Sequence, residues 1–580
     1  MAQQLAVDMA VPVAMRDGTT LLADVYRPAA PGRYPVILLR TPYNRRLPTL
    51  AYLQLDPVRA AERGYALVIQ DTRGRFASEG EFYCFADEGK DGYDTIEWAA
   101  KQPWSDGKVG MYGASYMGAV QWLAAIERPP HLRCIAPLIT ASDYHEGWAY
   151  QGGAFQLGFN LSWTVTTLVL ANLAHFKLSE SDRNAVRAEL IEATDHMSRP
   201  FADLPLRDLP VLKRLNLAKY YFDWLDHADD DDYWRRWNIE DRYPEITVPA
   251  LNIGGWYDIF LGGTLRNYLG MRAKGPSAEA RTQRLIVGPW LHSTQWPNVV
   301  GEHDFGVRSM GLALDLDGLL LRWFDHWLKG NDTGLMAEAP VKLFVMGENV
   351  WRDEQAWPLA RAKATPYYFH SAGSANSLDG DGRLSIEAPA DEPSDHYVYD
   401  PKDPVPTRGG ALCCWTAALP SGAYDQREVE RRRDVLVYTS QPLERAIEVT
   451  GPVTVKLWAA SSARDTDFTA KLVDVAPDGY ARNLTDGIIR ARYRTTTKTG
   501  TLIEPGKVYE YEIDLWATSN VFLPGHRIRV EIASSNFPRF DRNSNTGGSF
   551  GRESAMESAR QTVFHDGTRP SHIVLPVVPR

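Results

Sequence analysis

The chain changes character at a single residue between Val109 and Ile126. Val109-Gly110-Met111-Tyr112 is an apolar, strand-like run, Gly113-Ala114 are small, Ser115 follows, and Ala119 to Ile126 has helical composition. A strand that becomes a helix within two or three residues must turn sharply. The residue at the bend then takes backbone angles that side chains normally avoid, which is tolerable only among small neighbours. Ser115 is at that bend, with its hydroxyl clear of both elements. A serine hydroxyl is inert at neutral pH unless a base takes its proton, so a nucleophilic role requires an acid and a histidine downstream. An ordinary strand-turn-helix requires neither. The strict G-x-S-x-G spacing is not met, because Met117 stands where the second glycine belongs and Gly118 comes one residue later.

Two further apolar runs end at the required groups. Ala250-Leu251-Asn252-Ile253-Gly254-Gly255-Trp256-Tyr257 leads to Asp258, and Arg284-Leu285-Ile286-Val287-Gly288-Pro289-Trp290-Leu291 leads to His292. The order serine, acid, histidine is that of the α/β-hydrolase fold. The 34 residues between Asp258 and His292 suit one helix and one strand, so neighbouring strands would present both groups on one sheet edge. The gap from Ser115 to Asp258 is far longer and implies an insertion. Asp258 also reads as the N-cap of a helix from Phe260 to Leu269. Among the 13 histidines, His131, His175, His196 and His572 read as surface or core-edge residues, whereas His292 follows a strand at the carboxyl end where catalytic loops lie.

At 580 residues the chain exceeds one hydrophobic core. Residues 1–142 alternate strands (Pro35 to Arg40, Ala66 to Gln70, Val109 to Tyr112, Ile135 to Leu138) with helical segments (Pro57 to Arg63, Asp91 to Gln102, Tyr116 to Ile126), which is βαβ logic and a parallel sheet. Over 143–240 strand signals give way to helices, with starts at Ser179-Glu180-Ser181-Asp182 and at Asp229 to Asp232, so this stretch is predicted to be an inserted helical cap. The sheet pattern resumes over 241–352. Over 353–580 the period becomes two and turns such as Pro477-Asp478-Gly479 recur, predicting an all-β jelly-roll sandwich. Asp465 with Asp467, and Asp379 with Asp381, read as solvated turns.

A net charge of −10 with scattered basic residues argues against nucleic acid as a partner. No run of about 18 apolar residues is present, so no membrane span is predicted. The N-terminal residues lack the basic start and apolar core of a signal peptide, and four cysteines make no disulfide framework, which together predict a cytoplasmic enzyme. Cys84 and Cys134 read as lone thiols. The adjacent Cys413 and Cys414 read as two reduced, packed thiols in preference to a vicinal disulfide or a metal pair.

Met15-Arg16-Asp17-Gly18, Arg40-Thr41-Pro42-Tyr43, Gln70-Asp71-Thr72-Arg73-Gly74, the Ser115 elbow, Gly255-Trp256-Tyr257-Asp258, Gly288-Pro289-Trp290-Leu291-His292, Phe468 to Val475 and Ser534 to Arg539 form a co-linear set over essentially the whole chain. In these strings the chain resembles the cocaine esterase-like hydrolases, related to the Xaa-Pro dipeptidyl-peptidases and α-amino acid ester hydrolases. Members use G-x-S-Y-x-G, which accommodates Met117. The resemblance implies Ser115 as nucleophile, His292 as base and Asp258 as its orienting acid. It implies an oxyanion hole from the Tyr116 N–H and the Tyr43 hydroxyl, with no metal or cofactor. It places Trp148, Trp163 and Phe260 around a small-molecule substrate and admits a homodimer. Cys413 and Cys414 stand where the family's esterase pattern has a leucine and a phenylalanine in a pocket-facing loop, so substrate preference is not carried over. The first reading is a carboxylic ester hydrolase working through an acyl-enzyme. An Xaa-Pro dipeptidyl-peptidase, or an amino-acid ester or β-lactam acylase, is the alternative. The peptidase needs an acidic anchor for a substrate ammonium, for which Asp143, Glu146, Glu302 and Asp304 are candidates. A non-catalytic binding protein is the third reading.

Overall fold

The computed structural model describes residues 4–47, 55–213, 216–415 and 417–580; the first three residues of the N-terminal segment read above for a leader lie outside them. The N-terminal sheet has ten strands: β1 Leu5–Ala14, β2 Thr20–Pro28, β3 Tyr34–Thr41, β4 Ala66–Asp71, β5 Ser105–Ala114, β6 Leu132–Leu138, β7 Ala250–Tyr257, β8 Gln283–Leu291, β9 Val341–Val345 and β10 Val350–Glu354. Their order is β1-β2-β4-β3-β5-β6-β7-β8-β9-β10. Strands β3 to β9 run parallel, and the two ends of the sheet are antiparallel.

The continuous apolar runs exist because both faces are covered. Val36 and Leu38 of β3 point into one core and Ile37 and Leu39 into another; Ala66 and Val68 of β4 divide from Leu67 and Ile69 in the same way. Among the described residues, five helices pack on the sheet: α1 Pro57–Glu62, α2 Glu88–Ala100, α3 Tyr116–Ile126, α4 Leu261–Lys274 and α5 Leu316–Lys329. Side chains of α2 and α3 fill the first core, and Leu320, Trp323 and Phe324 of α5 the second. Strands β7 and β8 are adjacent and parallel with α4 between them in the chain, as the 34-residue spacing requires.

Between β6 and β7 the chain is mostly helical, with one short hairpin, Tyr150–Gln151 against Ala154–Phe155, that the sequence pattern does not announce. Leu157 to His175 forms one helical run whose mean hydropathy of 1.3 would suit a membrane span; 72% of it is buried inside the protein, so packing accounts for its apolarity. The Ser179 hydroxyl accepts from the Asp182 N–H at 3.0 Å and starts helix Glu180–Asp195, and Asp231 caps the short helix Asp232–Arg235. This helical block shares the first core with α2 and α3, through Trp148, Trp163, Trp224 and Trp234 among others.

Beyond β10 the chain is β-rich. Twelve strands from Lys363–His370 to His572–Val578 form one largely antiparallel sheet, with the long strands Ile447–Ser461 and Tyr509–Phe522 paired at its centre. Its core is continuous with Trp256, Tyr257, Leu343 and Phe344 of the first sheet, and Arg352 on β10 is paired with the buried Glu448 at 2.6 Å. Strand Ala481–Arg490 of this sheet is followed directly by a 3₁₀ turn, Ala491–Tyr493.

Asp465 and Asp467 are not solvated turn residues; each is 1% exposed. Asp467 pairs with Arg490 at 2.9 Å, Arg490 pairs with Asp541 at 2.9 Å, and Asp465 pairs with Arg492 at 2.7 Å. The Asn543 amide donates to both Asp465 and Asp467. These partners lie 23 or more residues away in sequence, so no local pattern marks the acids as interior. Asp379 and Asp381 are exposed, as expected. Arg490→Met strands two buried carboxylates and is expected to lower unfolding free energy by about 3–5 kcal/mol in chemical denaturation. A loss under about 1 kcal/mol would mean the cluster is solvated after all.

Candidate active site

Ser115 lies between β5 and α3 with φ 61° and ψ −126°. Its backbone is fixed on both sides: its N–H donates to the Leu138 carbonyl at 2.9 Å, and its carbonyl accepts from Gly118 N, Ala119 N and the Thr140 hydroxyl at 2.8–3.0 Å. The displaced glycine has a local cause. A Cβ on Gly118 would come within 2.8 Å of Thr140 Cβ and 3.1 Å of the Leu138 carbonyl, and a Cβ on Gly113 within 2.7 Å of Leu39 and Met117. The close approaches are therefore at 113 and 118, while Met117 is buried in the second core and its residue also lines the cavity.

His292 connects the other two groups. Its Nε2 is 3.0 Å from Ser115 Oγ and its Nδ1 is 2.7 Å from Asp258 Oδ1. Asp258 is fully buried, and the helix after it starts at Phe260 with no side-chain cap, so the carboxylate serves the imidazole and not the helix. Gly255 lets β7 approach β8 here, since a Cβ on it would meet the Trp290 carbonyl at 2.2 Å; within β8, a Cβ on Gly288 would meet the Trp290 ring at 2.4 Å.

Tyr43 follows β3, its N–H donating to the Thr41 hydroxyl at 3.0 Å, and its phenol is within hydrogen-bonding reach of the Ser115 and Trp163 side chains. Burial pushes the phenol up to about 12, so it stays a neutral O–H donor throughout the neutral range. The Tyr116 N–H opens α3, where backbone donors have no acceptor within the helix. The Tyr116 phenol itself points away, donating to Glu88 Oε1 at 3.0 Å and accepting from Phe85 N at 2.9 Å.

A cavity of about 700 Å³ opens over Ser115 and His292. Trp163 and Cys414 line it, together with Leu47, Phe76, Thr167 and Gln295, and among the described residues no Asp, Glu, Lys or Arg does. Phe260 sits edge-on to the His292 ring at 5.0 Å, and Trp148 stacks on Phe260 at 4.5 Å behind the wall. Cys413 is buried beside Cys414. The two are joined as a vicinal disulfide, where sequence reasoning expected reduced thiols. Adjacency alone does not distinguish the two states. Cys84 and Cys134 are free and buried, as expected.

The four acidic anchors lie elsewhere. Asp143 and Glu146 are half-buried around Arg266 and Glu240, and desolvation pushes each carboxyl up to about 7. Glu302 pairs with Arg408, and Asp304 is exposed and closes a local turn. None lines the cavity.

Sequence reasoning missed Arg75. Its fully buried guanidinium donates to the carbonyls of Pro42 at 2.7 Å, Leu168 at 2.6 Å and Thr167 at 3.1 Å. It thereby ties the Tyr43 turn to the helical run carrying Trp163. Its place directly after Gly74 in an Arg-Gly-Arg string was the one available signal.

These features define a hydrolase of the serine class on an α/β core. Residues 17–294 match the X-Pro dipeptidyl-peptidase (S15 family) and residues 333–574 the X-Pro dipeptidyl-peptidase C-terminal non-catalytic domain. The chain is 42% identical over 98% of both chains to the cocaine esterase of Rhodococcus sp. (strain MB1 Bresler). Among solved structures it is similar to an aminopeptidase of a marine sediment Thaumarchaeota archaeon (TM-score 0.80, 26% identity, covering 100% of this chain and 97% of the other) and to an α-amino acid ester hydrolase (TM-score 0.79, 26% identity, 99% and 97%). The chain belongs to the cocaine esterase-like serine ester hydrolases of the S15 family.

Arg75→Met is expected to lower kcat/KM by about 10²-fold with ester substrates, since displacements near 1 Å carry that cost. Arg75→Lys should recover part of it. An unchanged kcat/KM in the methionine variant would show that Tyr43 and Trp163 hold their places without it.

Proposed function

We propose that the protein hydrolyses neutral carboxylic esters through an acyl-enzyme on Ser115, with His292 as general base and then general acid, and Asp258 orienting it. Ser115 Oγ adds to the acyl carbonyl as its proton passes to His292 Nε2. The charge that appears on the carbonyl oxygen is met by the Tyr43 hydroxyl and the Tyr116 N–H. Collapse expels the alcohol, which takes the proton from His292, and water then repeats the sequence on the acyl-enzyme. Asp258 favours the imidazolium through its bond to Nδ1. A neutral Tyr43 suits this task because it donates without bringing a charge of its own into the cavity.

The observation that carries the ester reading is the uncharged wall. A dipeptide substrate presents a free ammonium, and burying it without a partner is costly. Asp143, Glu146, Glu302 and Asp304 lie off the described cavity wall, which supports neutral esters over Xaa-Pro peptides or amino-acid esters. By resemblance, residues 143–240 act as a cap over the 1–142 and 241–352 core, and the 353–580 jelly roll walls the cleft through Cys414. The same resemblance takes the working form as a homodimer.

The test is kcat/KM on p-nitrophenyl acetate, butyrate and benzoate beside an Xaa-Pro anilide. Ester turnover should exceed anilide turnover and vanish in Ser115→Ala. Tyr43→Phe should cost about 10²–10³ in kcat, the range for one oxyanion donor. Anilide turnover above ester turnover would overturn the reading in favour of the peptidase.

A further inference from the structure

His292 also stands beside two cysteines that take no part in ester hydrolysis. Nitrogen and sulfur atoms of His292, Cys413 and Cys414 all lie within 4.8 Å of one another. Cys414 is exposed on the cavity wall, so a small reductant reaches the disulfide through the substrate's own opening. Cys413 is 5% exposed, and the His292 side chain is 8% exposed. Two cysteines and an imidazole are the donor set of tetrahedral zinc sites, with a fourth position left for water.

Distances decide whether such a site closes. With metal–sulfur bonds near 2.3 Å and metal–nitrogen bonds near 2.0–2.1 Å, tetrahedral ligand atoms stand about 3.6–3.8 Å apart. The imidazole nitrogen lies within 4.8 Å of both sulfurs, while the sulfurs, bonded to each other, stand too close together to share a cation. Breaking the sulfur–sulfur bond lets the two side chains turn apart about their Cα–Cβ bonds toward the tetrahedral spacing, without moving β8, which leads to His292.

We propose that Cys413, Cys414 and His292 form a redox-gated site for a thiophilic divalent cation such as Zn²⁺, which silences the enzyme by taking the imidazole away from Ser115. A dithiol supplies two electrons and two protons, converting the disulfide to two thiols and itself becoming a disulfide; a phosphine supplies the two electrons and becomes a phosphine oxide, one water giving its oxygen and both thiol protons. Zn²⁺ then displaces both thiol protons and binds the imidazole. An imidazole nitrogen bound to the cation no longer accepts the serine proton or bonds Asp258, whichever nitrogen is used. Oxidised enzyme has no thiolates to offer and stays active. The inhibitory half rests on the esterase reading; the binding half does not.

The test uses the full-length enzyme, oxidised or reduced with a phosphine and desalted without oxygen. Co²⁺ is the spectroscopic probe and Zn²⁺ the inhibitor. Reduced enzyme should bind one Co²⁺ per chain with a thiolate-to-metal charge-transfer band, and one equivalent of Zn²⁺ should cut p-nitrophenyl ester turnover at least about tenfold, reversed by a chelator. Oxidised enzyme should show neither effect. Cys413→Ser/Cys414→Ser should lose the band, and its turnover with and without Zn²⁺ should be equal, whatever its own basal rate. His292→Ala, inactive for other reasons, should keep a weaker band with apparent affinity lower by at least about tenfold. Absence of the band in reduced enzyme, or equal inhibition of oxidised enzyme or of the double serine variant, would overturn the proposal. A normal band in an enzyme without ester turnover would instead sink the esterase reading alone.

Discussion

The site depends on how the Ser115 peptide is held. A non-glycine residue at φ 61° costs of order 1–3 kcal/mol and persists only where its surroundings over-determine it. Here four hydrogen bonds do so, one from its N–H to β6 and three to its carbonyl from Gly118, Ala119 and Thr140. Because β6 supplies the Leu138 carbonyl and also pairs with β7, the same sheet register that strains Ser115 sets where Asp258 emerges. One pairing further, β8 delivers His292. The 3.0 Å and 2.7 Å contacts of the imidazole are consequences of that register.

The second constraint joins parts that the sheet does not control. Tyr43 sits on a turn, and Trp163 sits in the helical block more than a hundred residues away. Arg75 bonds to backbone on both sides, and as a buried charge it is pushed down to about 10 by desolvation. Carbonyl partners solvate the guanidinium without placing a carboxylate beside the cavity. The Asp143 and Glu146 carboxyls are kept around Arg266, away from that cavity.

Much of the core was legible in the sequence because its signals are local. A strand buried on both faces must be apolar throughout, and a strand-to-helix bend must be lined by small residues, so β3, β5, β7 and β8 and the Ser115 elbow announce themselves. The Met117 departure was readable as an exception to a motif. Its cause, the contact of Gly118 with Thr140, required the neighbouring strand. Asp465 and Asp467 were misread because a buried carboxylate differs from a solvated one only by its partners, and Arg490, Arg492, Asp541 and Asn543 arrive from segments distant in sequence.

The sequence by itself determined the class of chemistry: a serine at a bend, an acid and a histidine in one order, on runs that can only be buried strands. Those are properties of residue type and spacing, and folding cannot change them. Tertiary structure alone decided that Asp258 serves His292 and not a helix end, that the acidic candidates stand away from the described cavity wall, that Phe260 rests against the imidazole, and that Cys413 and Cys414 come within reach of it. Each of these is a matter of which distant segments meet, and such meetings are set by strand register and by burial of charge, which no window of sequence contains.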